Sequence, residues 1–555
     1  MAILENVFHL AVFCRDYSPV SLRKKPMDMP STEAEFEPAE MAQWTAMVGR
    51  ILKGAPPHSL DRTDEDGLVT HALYPIVDDA APAPRQLPAA PRSRLAEGWQ
   101  VVQTVTPDMG NAEILDALAS GATGLALTTG DMAALEAQLA GVILPAVGIS
   151  LDGAAASAAQ YRRLLAFAGA AAAATQIDLG FDPVDGFADG MALHADAPAS
   201  HRLFRSDGWH WHNRGLSAAQ EIGLVVAGCA AVLRGADAAG ADMAALAGRI
   251  SARIALPADM FAGIIACRAT RRLWDGLLAG CGIDPVPLPV SGHASLRMMS
   301  VLDAEVNMLR MTTALLGGAI GGADAMAGFG HDVLTGESAG ARRIARLAQV
   351  MMMAESHLQA SLDPAAGATF IESRTDALAA AGWRCFQQIE QAGGLAAARK
   401  AGLVAGWADD AATAREARIR SGDSDLLGVT LQPRSETVPQ VLPEFAAVRR
   451  PAMLIEDIRR AAAANTPRVM ILRGEGATQE DAIRARLAMA GLGAVTLPEG
   501  DAGIEAARPD WVIGCGVDTP PAGMPQAHFL RGDDLLRADD RLAPLMRLAG
   551  GGEAG

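Results

Sequence analysis

At 555 residues, half of them hydrophobic and 20% charged, the chain can bury a large domain with one or two smaller ones beside it. Its net charge of −17 excludes the basic surface that a phosphate backbone demands, so nucleic acid is set aside as a partner. Six cysteines (Cys14, Cys229, Cys267, Cys281, Cys385, Cys515) have no paired short spacing and read as buried thiols of a reducing compartment, not as disulfides or a zinc site.

No uninterrupted apolar run reaches the roughly 18 residues of a membrane helix, and the N-terminus, with Glu5 early and no basic segment ahead of its apolar run, is a poor signal peptide. The cytoplasm is the expected location, and Met27 and Met29 are alternative starts. From Pro38 to Gly54 the spacing predicts an amphipathic helix, then a turn at Asp66-Gly67 and a short strand. Residues 79–93 form a Pro/Ala linker, so 1–93 reads as an extension and arm.

A regular alternation follows over 94–395. Strands are expected at Trp99–Val105, Gly124–Thr129, Val147–Leu151, Thr175–Leu179, Leu203–Trp211, Ala252–Leu256, Pro285–Val290 and Ala319–Ala323. Helical segments fill the intervals, as at Ser217–Leu233, Asp259–Leu278 and Asp303–Leu316. Eight strands with crossover helices match an α/β fold of the (β/α)8 TIM-barrel type. No Gly-rich nucleotide loop follows the first strand, which disfavours a doubly wound sheet. A long helix is expected from Glu337 to Asp363-Pro364, with Met351–Met353 packing in a core, then a short strand at Phe370 and a helix ending at Gly393-Gly394. Residues 396–467 read as a linker region, and 468–555 as a compact parallel α/β domain of the flavodoxin-like sort.

The segments HNRGLSAAQEIG (from His212), CRATRRLW, NMLRMTTALLGG, ARRIARLAQVMMMAES, LDPAAGATFIES and IEQAGGL together resemble the methylmalonyl-CoA mutase family. The resemblance implies a substrate-binding barrel, with the acyl-CoA threaded along an axis lined by small residues, followed by a cobalamin-binding flavodoxin-like domain. It also implies adenosylcobalamin-dependent interconversion of (R)-methylmalonyl-CoA and succinyl-CoA, and an N-terminal arm that wraps a partner subunit.

Several positions depart from the catalytic members. Where the family carries Asp-x-His-x-x-Gly, with the imidazole as lower cobalt ligand, this chain reads RGEGATQED from Arg473 to Asp481; the histidine of the domain is His528. The Thr-Arg-Gly-x-Tyr segment is replaced by YPIVDDAAPAPRQLP from Tyr74, whose Asp78 and Asp79 repel an anionic substrate. Gln-Asn-Asp becomes IDLGFDP, and Ser291 in LPVSGHASLR stands where a family histidine falls. His210 keeps the spacing of the catalytic barrel histidine, five residues before Gly215. It is either a remnant that would stabilise a thioester carbonyl or a core histidine between Trp209 and Trp211. His293 and His331 lie near strand ends without an evident carboxylate partner, and Arg268, Arg271 and Arg272 are expected to form ion pairs.

The reading that follows is a small (β) subunit of the heterodimeric mutase type, silent by itself: no intact catalytic residue beyond the possible remnant His210, no cofactor-binding residue and no metal ligand. Adenosylcobalamin would sit on the large (α) partner subunit. The alternatives are a competent acyl-CoA mutase subunit of the split type, served by a separate cobalamin-binding protein, and a mutase-binding regulatory protein.

Overall fold

A computed structural model describes residues 40–74, 98–153, 156–434, 437–501, 503–521 and 527–550. Asp78, Asp79, Cys14, Met27, Met29 and the Pro/Ala linker lie outside the described residues. The chain divides into two units, 1–62 and 63–555. In the first, helix α1 (Met41–Ile51) is started by a reciprocal capping box between Glu40 and Gln43. None of its residues is buried, and Met47 and Ile51 are 54% and 71% exposed.

The second unit is dominated by a closed barrel of eight parallel strands: β1 (Gln100–Val105), β2 (Gly124–Leu127), β3 (Gly148–Leu151), β4 (Ile177–Phe181), β5 (Arg202–Asp207), β6 (Ile250–Leu256), β7 (Val290–Ala294) and β8 (Ala325–Ala327). The helices used below are α2 (Trp209–Arg214), α3 (Ala218–Ala238), α4 (Met260–Gly280), α5 (Ala304–Gly321), α6 (Ala339–Ala354), α7 (Thr369–Gln391), α8 (Leu403–Ser421) and α9 (Met453–Asn465). Side-chain caps mark several starts: the Asp259 carboxylate accepts from the amides of Phe261 and Ala262, and Ser217 forms a capping box with Gln220. α3 is long and apolar enough to cross a membrane by composition alone, yet it lies mostly buried within the fold.

Five expected elements are corrected, and so are the burial of Cys281 and of Met351. The strand expected at Pro285–Val290 is β7, and it begins at Val290 because Pro285, Pro287 and Pro289 have no N–H to donate to a ladder. The strand expected at Ala319–Ala323 is the end of α5, and the eighth strand is Ala325–Ala327. The glycines there serve helix packing: a Cβ on Gly317 would meet the Met260 carbonyl oxygen at 2.7 Å, and one on Gly321 the Ile264 Cα at 2.8 Å. The fifth strand stops at Asp207, and Trp209–Arg214 is helical. α6 ends at Ala354, before His357 takes the left-handed conformation. No strand forms at Phe370; α7 runs from Thr369 because Ile371, Thr375, Leu378, Gly382, Phe386 and Ile389 repeat at helical spacing. Cys281 is exposed and Cys385 half-buried, whereas Cys229, Cys267 and Cys515 are buried free thiols. Met352 is in the core, but Met351 is exposed.

A second parallel sheet has the order β10-β9-β11-β12, with β9 (Val469–Arg473), β10 (Ala494–Pro498), β11 (Trp511–Cys515) and β12 (His528–Arg531). Its core takes in Ile455 and Ile458 from α9 and also Leu302, from the loop that follows β7. That loop is joined to α9 by charge as well. Glu456 accepts from Ser300 Oγ at 3.3 Å and the Val301 amide at 3.1 Å, and pairs with Arg450 at 2.7 and 2.8 Å.

Candidate functional site

Alternation along a strand puts every second residue on the barrel's inner face. On the β8–β1–β2 side Ala325, Ala327, Val102 and Ala126 form a small apolar cluster of their own, with Gln100 on the same face of β1 donating to Gln176 at 2.8 Å. Facing them, β3 to β7 bring charge into the lumen. Arg205 of β5 donates to Ser150 Oγ at 2.7 Å, to both Asp178 carboxylate oxygens at 3.0–3.2 Å, and to Asp152. Arg253 of β6 donates to Asp152 at 2.9 Å and to Asp207 at 2.6 and 3.1 Å. Ser251 adds a bond to Asp178 at 2.7 Å. Asp152 therefore bridges two guanidinium groups from strands two and three places away round the barrel. Burial by itself would raise the Asp152 carboxyl, but Arg253 and Arg205 overcome it and hold the group well below the usual carboxylate range. The same contest, won by Arg253, lowers Asp207.

His293 of β7 completes this wall. Burial, reinforced by Arg253, pushes its imidazole down to about 3, so it is neutral beside Asp152 and Asp207. The carboxylates missing from its sequence neighbourhood are thus supplied by β3 and β5. Its ring bonds Ser291 at 3.1 Å and lies 5.7 Å from Trp209, whose indole donates to the Ala294 carbonyl at 2.9 Å.

His210 is exposed on α2, and its amide donates to Asp207 at 3.3 Å. It is not a core histidine. That role belongs to His212, two residues on, whose Nδ1 meets Glu221 at 2.8 Å and Nε2 meets Ser295 Oγ at 2.9 Å. Burial raises Glu221 to about 8 and lowers His212 well below its ordinary value. This is a serine–histidine–acid chain, but all three residues are buried, and Glu221 also accepts from the Ala255 amide at 2.6 Å. It ties β6 and the β7 loop to α3 and presents no accessible nucleophile.

Arg268 pairs with Asp363 and Glu372, Arg271 with Asp324 at 2.7 Å, and Arg272 with Asp376, as expected. His331 lines a small apolar cleft with Met308, Met311, Phe329 and Ile344. Asp152, Arg205, Arg253, His212, Glu221 and Ser295 were not singled out from the sequence. Arg205 and Asp207, two apart in a buried strand, and Arg253 inside an apolar run are the signals that mark them.

The C-terminal sheet does not fit a corrin held in the family manner. The described loop after β9 contains no imidazole, and a Cβ on Gly474 would meet the Gly516 carbonyl oxygen at 2.8 Å, so backbone closes on backbone where the β9 and β11 loops part. His528 pairs in register with Trp511, at the opposite end of the sheet, with its ring 4.7 Å from that indole.

The chain matches the methylmalonyl-CoA mutase family model over residues 191–467. It is 35% identical over 430 residues to the methylmalonyl-CoA mutase small subunit of Streptomyces virginiae, covering 69% of this chain and 70% of that one. A probable methylmalonyl-CoA mutase small subunit of Mycobacterium tuberculosis (strain ATCC 25618 / H37Rv) is 33% identical over 551 residues, 89% of this chain and 86% of its own. The methylmalonyl-CoA mutase of Escherichia coli (strain K12) is 29% identical over 226 residues, 40% of this chain and 32% of its own. With small subunits similar along most of their length and an eight-stranded barrel that carries the matching motifs, this chain belongs to the methylmalonyl-CoA mutase family.

Proposed function

We propose that the chain is the catalytically silent small subunit of an adenosylcobalamin-dependent methylmalonyl-CoA mutase. In this reading a large (α) subunit holds acyl-CoA and cobalamin and interconverts (R)-methylmalonyl-CoA and succinyl-CoA, and the pair works in the cytoplasm. The barrel and the degenerate flavodoxin-like domain persist as a packing scaffold, and the N-terminal arm, with the uncovered apolar side chains of α1, reaches the partner.

The observation that carries the reading is the charged half of the lumen. A thioester chain threaded along the barrel axis needs small neutral walls, whereas here Arg205 and Arg253 extend into that space, each bound to two aspartates. Opening it would break buried ion pairs, at several kcal/mol each. The small-subunit names of the two relatives that match along most of their length and the histidine-free loop at Arg473–Asp481 support the same reading.

The test is titration of the purified chain with adenosylcobalamin and methylmalonyl-CoA, alone and co-expressed with the family's large subunit. No binding by the isolated chain, together with a stable one-to-one complex on size exclusion, is expected. Stoichiometric corrinoid on the isolated chain, or unaided turnover, overturns the reading.

A further inference from the structure

The upper lumen holds two guanidinium groups, Arg205 and Arg253, each with one carboxylate of its own: Asp178 for the first, Asp207 for the second. Asp152 lies between them and serves both. One of its carboxylate oxygens meets Arg205 and the other Arg253, the latter at 2.9 Å. Ser150 Oγ also reaches the Arg205-facing oxygen, at 3.5 Å. Asp152 is the residue that follows β3, and the next, Gly153, has φ +55°, so the carboxylate is delivered from the end of a strand and not from the strand's pleat.

We propose that the Arg205–Arg253 pair is a carboxylate-binding site at the mouth of the lumen, and that the chain fills it permanently with its own Asp152. Each guanidinium turns its fork to its own aspartate and gives one Nη1–H to Asp152, so two donors meet the two oxygens of one planar carboxylate, a spacing that favours a carboxylate over a spherical anion. The neutral His293 and Trp209, whose ring lies 5.7 Å from the Arg253 guanidinium carbon, wall the site without competing for the anion. The inference rests on the reading of the barrel as silent, because it supplies the reason a ligand carboxylate would find no vacancy. It also extends that reading, since the site would be built and occupied from within, not lost.

Removing the internal occupant tests this by chemical rescue. Asp152→Ala deletes the carboxylate and leaves room for formate. We expect its Tm to fall by several degrees and to be restored by formate along a saturating curve, whereas sodium chloride at equal ionic strength restores little. The wild type should respond alike to both salts, and Asp152→Ala combined with Arg253→Met should lose the rescue. Asp152→Asn, which keeps the volume, should lose stability and gain nothing from formate. If Asp152→Ala is recovered only from inclusion bodies, refolding yield becomes the readout, with formate expected to exceed equimolar chloride. A Tm equal to wild type in either single variant, or equal effects of formate and chloride on Asp152→Ala, overturns the proposal. Failure here leaves the cobalamin and acyl-CoA titrations untouched, and turnover by the isolated chain would leave the rescue standing, so the two readings fail separately.

Discussion

His212 and Glu221 hold one proton between two buried groups, and this sets how stability changes with pH. Burial raises Glu221 to about 8 and depresses His212, so in the folded chain the proton sits on the acid and the imidazole is neutral. Between about pH 4.5 and 6.5 the unfolded pair also carries one proton, on histidine, and the pair contributes no slope. Above pH 6.5 the unfolded pair loses its proton and the folded one keeps it until about 8, so stability falls as pH rises through that window. His293 acts in the opposite sense. Its folded value of about 3 lies below its unfolded one, so stability falls as pH drops below 6.5, by up to about 1.4 kcal/mol per pH unit. Burial lowers His201 as well; it accepts from the Tyr161 hydroxyl at 2.8 Å and adds to the same acid limb. Thermal melts from pH 4.5 to 8.5 should therefore peak near neutrality. Glu221→Gln should flatten the alkaline limb, since the amide keeps both hydrogen bonds, and His293→Gln should flatten part of the acid one. An unchanged alkaline limb in Glu221→Gln would show that this pair is not its source. His293 stood out in the sequence but its charged neighbours did not, and His212, Glu221 and His201 did not stand out at all, because a neutral buried histidine is defined by a partner 9 residues away for His212 and by strands up to 141 residues away for His293.

At the scale of elements, three consecutive acids bind the start of the second unit to the barrel shell. Asp64 pairs with Arg374 of α7, Glu65 with Arg415 of α8 at 2.7 Å, and Asp66 meets Ser217 and the Ala219 amide at the start of α3. Thr369 continues the attachment by donating to the Tyr74 carbonyl at 2.9 Å. These pairs are partly exposed, so each contributes little alone and is screened by salt. Their sum holds the segment 64–74. Glu65→Lys sets like charges against Arg415 and Arg297, and limited proteolysis should cut within 64–74 several-fold faster than in wild type, with a smaller difference at high salt. Equal cleavage rates would mean that the hydrophobic contacts of Leu68 and the Tyr74–Phe370 ring pair suffice. The eight strand–helix units were legible because buried parallel strands are short apolar runs between periodic segments. The errors have local causes. Proline at 285, 287 and 289 looks apolar yet cannot join a ladder, and Gly317 and Gly321 look like a strand edge yet permit α4 and α5 to approach closely, while Gly318 makes room for Leu256 and Met326 of the barrel. The lumen was not legible, since Arg253 in an apolar run gives no sign of which face it takes until the register of β6 is known.

For the molecule as a whole, the decisive contact is the seam between the loop after β7 and α9. Arg450 and Glu456 are 2% and 0% exposed at their side chains, and Glu456 reaches across to Ser300 and Val301, while Leu302 enters the core of the C-terminal sheet. Asn307 holds the loop from below, donating to the Ser300 carbonyl at 2.8 Å and accepting from its amide at 3.1 Å. A buried ion pair stabilises little against an apolar replacement, but breaking it from one side strands a charge at a cost of about 3–5 kcal/mol. That cost falls on the seam and not on either core. The wild type should therefore unfold in one calorimetric transition, barrel and C-terminal sheet together. Glu456→Ala should split it in two, with the C-terminal part melting first because its core is the smaller. Arg450→Met combined with Glu456→Leu removes both charges and should restore much of the cooperativity. If Glu456→Ala still melts as one transition, only shifted, the coupling lies in Leu302 and its apolar neighbours, and a Leu302→Ala variant should then produce the split that the charge variant did not.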